Sequence, residues 1–174
     1  MLRILHRIAV NGTLTEAPPA TEDTELEALG IEVRRTLAAR FSGSLAIRQV
    51  DAGSCNGCEL EIHALNNPYY DVERFGVHFV ASPRHADALL VTGPVSRHME
   101  NALRRTWRAM PSPKLVIAAG ECACNGGIFG ASYASCGGVD QVIPVDVRIP
   151  GCPPAPKVLL QGLLAALRTE SDKR

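Results

Sequence analysis

From residue 44 onward the chain alternates short apolar runs with stretches of helical periodicity, and this alternation restricts the fold more than any other feature. Five runs read as strands: LAIRQVD (45–51), VHFVASP (77–83), ALLVTGP (88–94), KLVIAAG (114–120) and QVIPVDVRIPG (141–151). Helical patterns lie over 59–66, stopped by Pro68, and over 96–110, stopped by Pro111. In the second, Met99, Leu103, Trp107 and Met110 form one stripe. A last helix over 156–168 carries Val158, Leu160, Leu163, Leu164 and Leu167. Strands that alternate with helices build a mostly parallel sheet with helices on both faces, so an α/β fold is expected.

Residues 1–44 precede this frame as an extension. A basic–apolar stretch pairs Leu2, Ile4, Leu5 and Ile8 with Arg3, His6 and Arg7, and TEAPPATEDT after it reads as a linker. Thr24 and Glu27 have capping-box spacing, and Leu26, Leu29, Val33, Leu37 and Phe41 recur at helical intervals, which predicts a helix over 25–40. Residues 2–10 are expected to lie on a partner protein rather than a membrane, which nine residues with two arginines bind poorly alone. Residues 45–168 form the main domain and 169–174 a tail.

Eighteen basic and eighteen acidic residues cancel, which removes the electrostatic case for a nucleic-acid partner. No apolar run approaches the ~18–20 residues that span a bilayer. The opening residues show no small-residue cleavage site, so export is not expected. In a cytoplasmic chain, six cysteines point to metal or redox chemistry rather than disulfides.

The cysteines fall at particular places on the expected frame. Cys55 and Cys58 follow the first strand in GSCNGCELEI, Cys122 follows KLVIAAG in GECACNGGIFG, and Cys152 follows the last strand in IPGCPPAP. The carboxyl ends of strands are where open α/β sheets gather ligands. Gly53, Gly57, Gly120 and Gly151 stand close before these groups, as a backbone wrapped around a compact object requires. Helix amino termini after such turns offer N–H groups to an anionic cluster. Four thiolates suit a [4Fe-4S] cluster or structural zinc; two single cysteines on separate loops favour the cluster, and the CAC of 122–124 keeps zinc open.

CNGCELEI, ERFGVHFVASPRHADALLVTGPV, GECACNGGIFG and VIPVDVRIPGCPP together resemble a known family over about residues 45–167. It is the small electron-transfer subunit of membrane-associated group 4 [NiFe] hydrogenases, of the formate hydrogenlyase and energy-converting types. That subunit is homologous to the quinone-proximal cluster subunit of complex I, the respiratory NADH-quinone oxidoreductase. The resemblance implies a flavodoxin-like domain holding one [4Fe-4S] cluster through Cys55, Cys58, Cys122 and Cys152. It also implies a large nickel–iron partner subunit that carries the catalytic metal. A ferredoxin-like iron–sulfur subunit and membrane subunits complete the set, at the cytoplasmic face of the cell membrane. Complex I subunits carry adjacent cysteines in the first motif, so the spaced Cys55-Asn-Gly-Cys58 resembles hydrogenases. The alternatives are a complex I-like relay to quinone, a nickel-free relative, and a zinc-stabilised assembly module.

Other residues attract weaker expectations. Cys124 and Cys136 read as small buried hydrophobes with no assigned role. Glu59 and Glu61 read as a solvated helix start, where acids suit the dipole, with proximity to a partner interface as the other possibility. Arg84 and His85 read as loop residues, with tuning of a cluster as the alternative, and His63, His78 and His98 as structural.

Overall fold

In the computed structural model, residues 2–12 and 23–169 are described. Strands β1 (Leu45–Asp51), β2 (Val77–Phe79), β3 (Ala88–Thr92), β4 (Leu115–Ala119) and β5 (Val147–Ile149) pair in the order β2-β1-β3-β4-β5, every pair parallel. This is the flavodoxin-like doubly wound order. The helices are α1 (Leu2–Asn11), α2 (Thr24–Arg40), α3 (Gly57–Ala64), α4 (Arg97–Ala109), α5 (Glu121–Asn125) and α6 (Pro156–Thr169).

Every residue of β3 and β4 is buried, as strands covered on both faces demand, which is why ALLVT and LVIAA read as continuous apolar runs. The two-residue period sorts neighbours to opposite cores. Ile47, Leu90 and Ile117 join Leu37 of α2, Ile62 of α3 and Leu160 and Leu163 of α6 in one core. Val50, Leu89, Val91, Val116 and Ala118 join Leu103 of α4 and Ala123 of α5 in the other. Each large side chain removed from water contributes roughly 1.5–3 kcal/mol, so both faces are needed to hold the sheet.

Two of the boundaries that differ from the sequence expectation have a clear physical cause. The run 141–151 yields only the three residues of β5; residues Val139–Gln141 form a 3-10 turn, and the paired strand begins after Pro144, which has no N–H to give a ladder. Helix α2 is capped by Asp23, whose carboxylate accepts the Leu26 N–H at 3.1 Å, rather than by a Thr24–Glu27 box. Asp23 also pairs with Lys157 at the start of α6, so one carboxylate both caps α2 and ties it to the helix packed beside it. The linker expected over 15–24 falls mainly outside the described residues, as does most of the tail. Helix α1 leaves Ile4, Leu5, Ile8 and Val10 exposed.

Candidate metal centre

Four loops leave the carboxyl edge of the sheet and converge on one void of about 120 Å³, walled by Cys55, Cys58, Cys122 and Cys152 with Ser54, Gly57, Gly93, Glu121, Gly151 and Pro153. The topology explains the convergence. Direction of winding reverses at β1, so the crevice opens between the end of β1 and the ends of β3 and β4.

Local hydrogen bonds set each loop. After β1, Asp51 Oδ1 accepts both the Gly53 and Ser54 N–H groups at 2.8 Å, folding the chain back so that Cys55 faces the edge. The Ser54 hydroxyl accepts the Asn56 N–H at 3.0 Å and donates to Glu59 Oε2 at 2.5 Å. Asn56, left-handed at φ 71°, then opens α3, and Cys58 sits in its first turn. At the other side, Gly120 N–H donates to Ile149 O and Glu121 N–H to Gly151 O, both at 2.8 Å. These two bonds extend the β4–β5 ladder beyond the strands and clasp the Cys122 loop to the Cys152 loop.

Two glycines leave room for sulfur. A Cβ on Gly120 would stand 2.6 Å from Cys58 Sγ, and one on Gly127 would stand 2.8 Å from Cys122 Sγ. Both residues also have positive φ, 91° and 56°, so a side chain there meets strain as well as a clash.

All six cysteines are free thiols. Burial, then the Glu59 charge, then the other three thiols push the Cys58 thiol up to about 12. Burial and the nearby Cys152 and Cys55 raise Cys122 as well. Thiols in this state hold their protons at neutral pH, and a bound cationic group must displace them. Among the described residues no three His, Cys, Asp or Glu side chains converge as one ion requires. The thiols stand around a space of about 120 Å³, well beyond what a single water needs. Soft donors spaced around a small void, with glycines cleared from the sulfurs, fit a compact multi-atom group.

The structure does not treat the remaining candidates alike. Cys124 and Cys136 are buried in the α4–α5 core, Cys124 against the Ala118 and Ile149 carbonyls and Cys136 against Glu100. Glu59 is not at a solvated helix start: it is 6% exposed, with Oε1 buried and without a hydrogen-bond partner. Glu61 is half-buried, and Arg84 and His85 are exposed on a short 3-10 turn; none of the three lines the cysteine void. His63 and His98 are exposed and His78 half-buried.

Sequence reasoning missed the apolar surface beside the thiols. A cleft of about 430 Å³ shares Cys55, Cys122 and Cys152 with the void and is continued by Ile128 and Phe129, which are 94% and 58% exposed. The signal was in the GGIFG of the third motif, two large apolar residues between glycines in a loop. A larger cavity, about 660 Å³, lies elsewhere, between the start of α2 and Tyr69. Its charged walls are already paired, Asp23 with Lys157 and Arg74 with Glu27, and it contains neither cysteine nor histidine.

The family described as NADH ubiquinone oxidoreductase, 20 Kd subunit, matches residues 55–166. The chain is 45% identical over 149 residues to formate hydrogenlyase subunit 7 of Escherichia coli, which covers 86% of this chain and 57% of that protein. It is 50% identical over 107 residues to a subunit of the NADH-quinone oxidoreductase of Desulfovibrio desulfuricans, covering 62% and 58%. The chain thus spans somewhat more than half the length of these two relatives. Among solved structures, a chain of the membrane-bound sulfane sulfur reductase, an archaeal respiratory membrane complex, superposes with a TM-score of 0.66 at 34% identity, covering 81% of this chain and 77% of that one.

Proposed function

The chain belongs to the NADH ubiquinone oxidoreductase 20 Kd subunit family, whose members are subunits of oxidoreductase complexes, and from that premise we propose that it is a one-electron relay. In this reading Cys55, Cys58, Cys122 and Cys152 hold one [4Fe-4S] cluster, and electrons pass to or from the nickel–iron site of a partner large subunit. The observation that carries the reading is the meeting of four thiols from three distant segments around one small void at the sheet's switch point.

A [4Fe-4S] cluster, when bound, accepts and returns a single electron within a potential range set largely by its surroundings. The chain's own residues do the rest. The Asp51 turn and the β4–β5 clasp position the two halves of the ligand set. Apolar Ile128 and Phe129 offer a docking surface next to exposed Cys55 and Cys152, where a partner excludes water and comes within transfer distance.

The comparisons name a formate hydrogenlyase, an NADH-quinone oxidoreductase and a sulfane sulfur reductase, three terminal reactions around one kind of subunit. What these share is delivery of electrons, so the terminal chemistry belongs to the partner. Among the described residues no helix is long and apolar enough to cross a membrane. In our proposal a ferredoxin-like subunit and membrane subunits complete the complex, and this chain sits peripherally at the cytoplasmic face. The spaced Cys55-Asn-Gly-Cys58 favours a hydrogenase over a quinone relay.

The test is anaerobic purification of the complex, with iron, sulfide, zinc and nickel measured and EPR recorded on the reduced sample. About four irons and four sulfides on this chain support the relay. Nickel on the large subunit then selects hydrogenase, and its absence selects a quinone-type or nickel-free complex. Stoichiometric zinc without iron ends the electron-transfer reading.

A further inference from the structure

Glu59 is unlike every other acidic residue described. It is the only acidic side chain in the buried set, 6% exposed, and it directly follows Cys58. Oε2 is held by the Ser54 hydroxyl at 2.5 Å, while Oε1 has neither solvent nor a donor. No ion pair to Glu59 forms among the described residues, although seven other ion pairs do. It stands in the first turn of α3, where helix N–H dipoles point toward it. One hydroxyl and a helix end hold the charge in position without cancelling it, and in a water-excluded pocket a charge acts with little screening.

We infer that Glu59 sets the reduction potential of the centre, its buried carboxylate holding that potential below the value the four cysteines would give alone. The inference rests on the cluster reading above. Adding an electron beside a fixed negative charge is disfavoured, and net charge is one of the levers that move such potentials. The carboxylate stands close to the centre: Ser54, whose hydroxyl holds it, lines the same void as Cys58. Ser54 has a dual part, since the hydroxyl that fixes Glu59 also accepts the Asn56 N–H and so shapes the Cys55 loop. Glu59 acts through the cluster and its ligand, which makes it a positioning residue for electron transfer.

The experiment is an EPR-monitored redox titration of the intact complex, prepared anaerobically, with iron per chain measured on each sample. Glu59→Gln removes the charge at constant size, Glu59→Ala removes charge and volume, Glu59→Asp keeps the charge, and Glu61→Gln neutralises the half-buried acid two residues on. Both charge-removing variants are expected to load iron as the parent does and to titrate at a more positive midpoint. Glu59→Asp should return most of the way to the parent value, and Glu61→Gln should move the midpoint less than Glu59→Gln. A fully loaded Glu59→Gln complex with the parent's midpoint overturns the inference. So does loss of iron in both charge-removing variants with retention in Glu59→Asp, because the carboxylate is then a requirement for assembly. Absence of iron from the parent complex is a different failure, that of the cluster reading itself.

Discussion

Six cysteines divide into two groups that the same fold treats in opposite ways. Cys55, Cys58, Cys122 and Cys152 stand on loops at the carboxyl edge, partly open to solvent and facing one void. Cys124 and Cys136 are closed into the core between the sheet and α4, 9% exposed each. Cys122 and Cys124 are two residues apart and still fall in different groups, because the short turn of α5 sends one side chain to the edge and the other inward. Position on the backbone, rather than residue type or spacing in the chain, decides which thiol is available for chemistry.

The largest effect expected from this contrast is on metal content. On the cluster reading, Cys152→Ser should remove most of the ~4 irons proposed, while Cys124→Ala and Cys136→Ala keep them; iron assays on the three purified variants read the difference. Equal losses from all three would erase the distinction between the groups.

Gly120→Ala attacks the edge group without touching a thiol. The new methyl group would fall 2.6 Å from Cys58 Sγ, at a φ of 91°. Strain of this kind costs about 1–3 kcal/mol, and loading should fall well below the parent's. Normal iron content with an unchanged melting temperature would show that the loop has slack.

A third prediction concerns pH in the metal-free protein. The folded Cys58 thiol lies up at about 12, whereas an unfolded cysteine ionises near 8.5. A group raised on folding contributes stability that is complete below the unfolded value and lost as pH climbs toward the folded one. Thermal unfolding of the metal-free chain should therefore weaken from about pH 8 toward pH 10, and Cys58→Ser should flatten that slope. The same linkage makes metal capture easier as pH rises, since protons leave when the thiolates are bound.

The smallest effect is expected in the core group. Cys124→Ala leaves a small gap among Ala118, Ile149 and their neighbours, worth about 1 kcal/mol. For a chain of this length that lowers the melting temperature by roughly 2–4 °C. A much larger drop would mean that Cys124 does more than fill space.

Much of this arrangement could be read from the sequence, for physical reasons. Runs such as ALLVT and LVIAA are buried on both faces and so advertise themselves, and β1 occupies the expected residues Leu45–Asp51. Placing Cys55, Cys58, Cys122 and Cys152 at one edge followed from parallel topology alone. What escaped depends on tertiary contacts. Glu59 in isolation looks like a carboxylate at a solvated helix start; only the Ser54 turn and the packing of α3 show it to be enclosed. The cap of α2 moved from Thr24 to Asp23 because Lys157, over a hundred residues later, supplies a second partner. GGIFG set Ile128 and Phe129 in a glycine-rich loop, but their exposure beside the thiols is a property of the folded loop.

The backbone clasp between the Cys122 and Cys152 loops has a consequence for biogenesis. Two of the proposed ligands are yoked together by sheet-like hydrogen bonds, and the other two follow the Asp51 turn, so backbone bonds hold the rim of the socket. Its mouth opens past Cys55 and Cys152 onto the surface bearing Ile128 and Phe129, which in our proposal a partner covers. On that proposal, delivery of iron comes before subunit docking, because a partner seated on the mouth closes the way in.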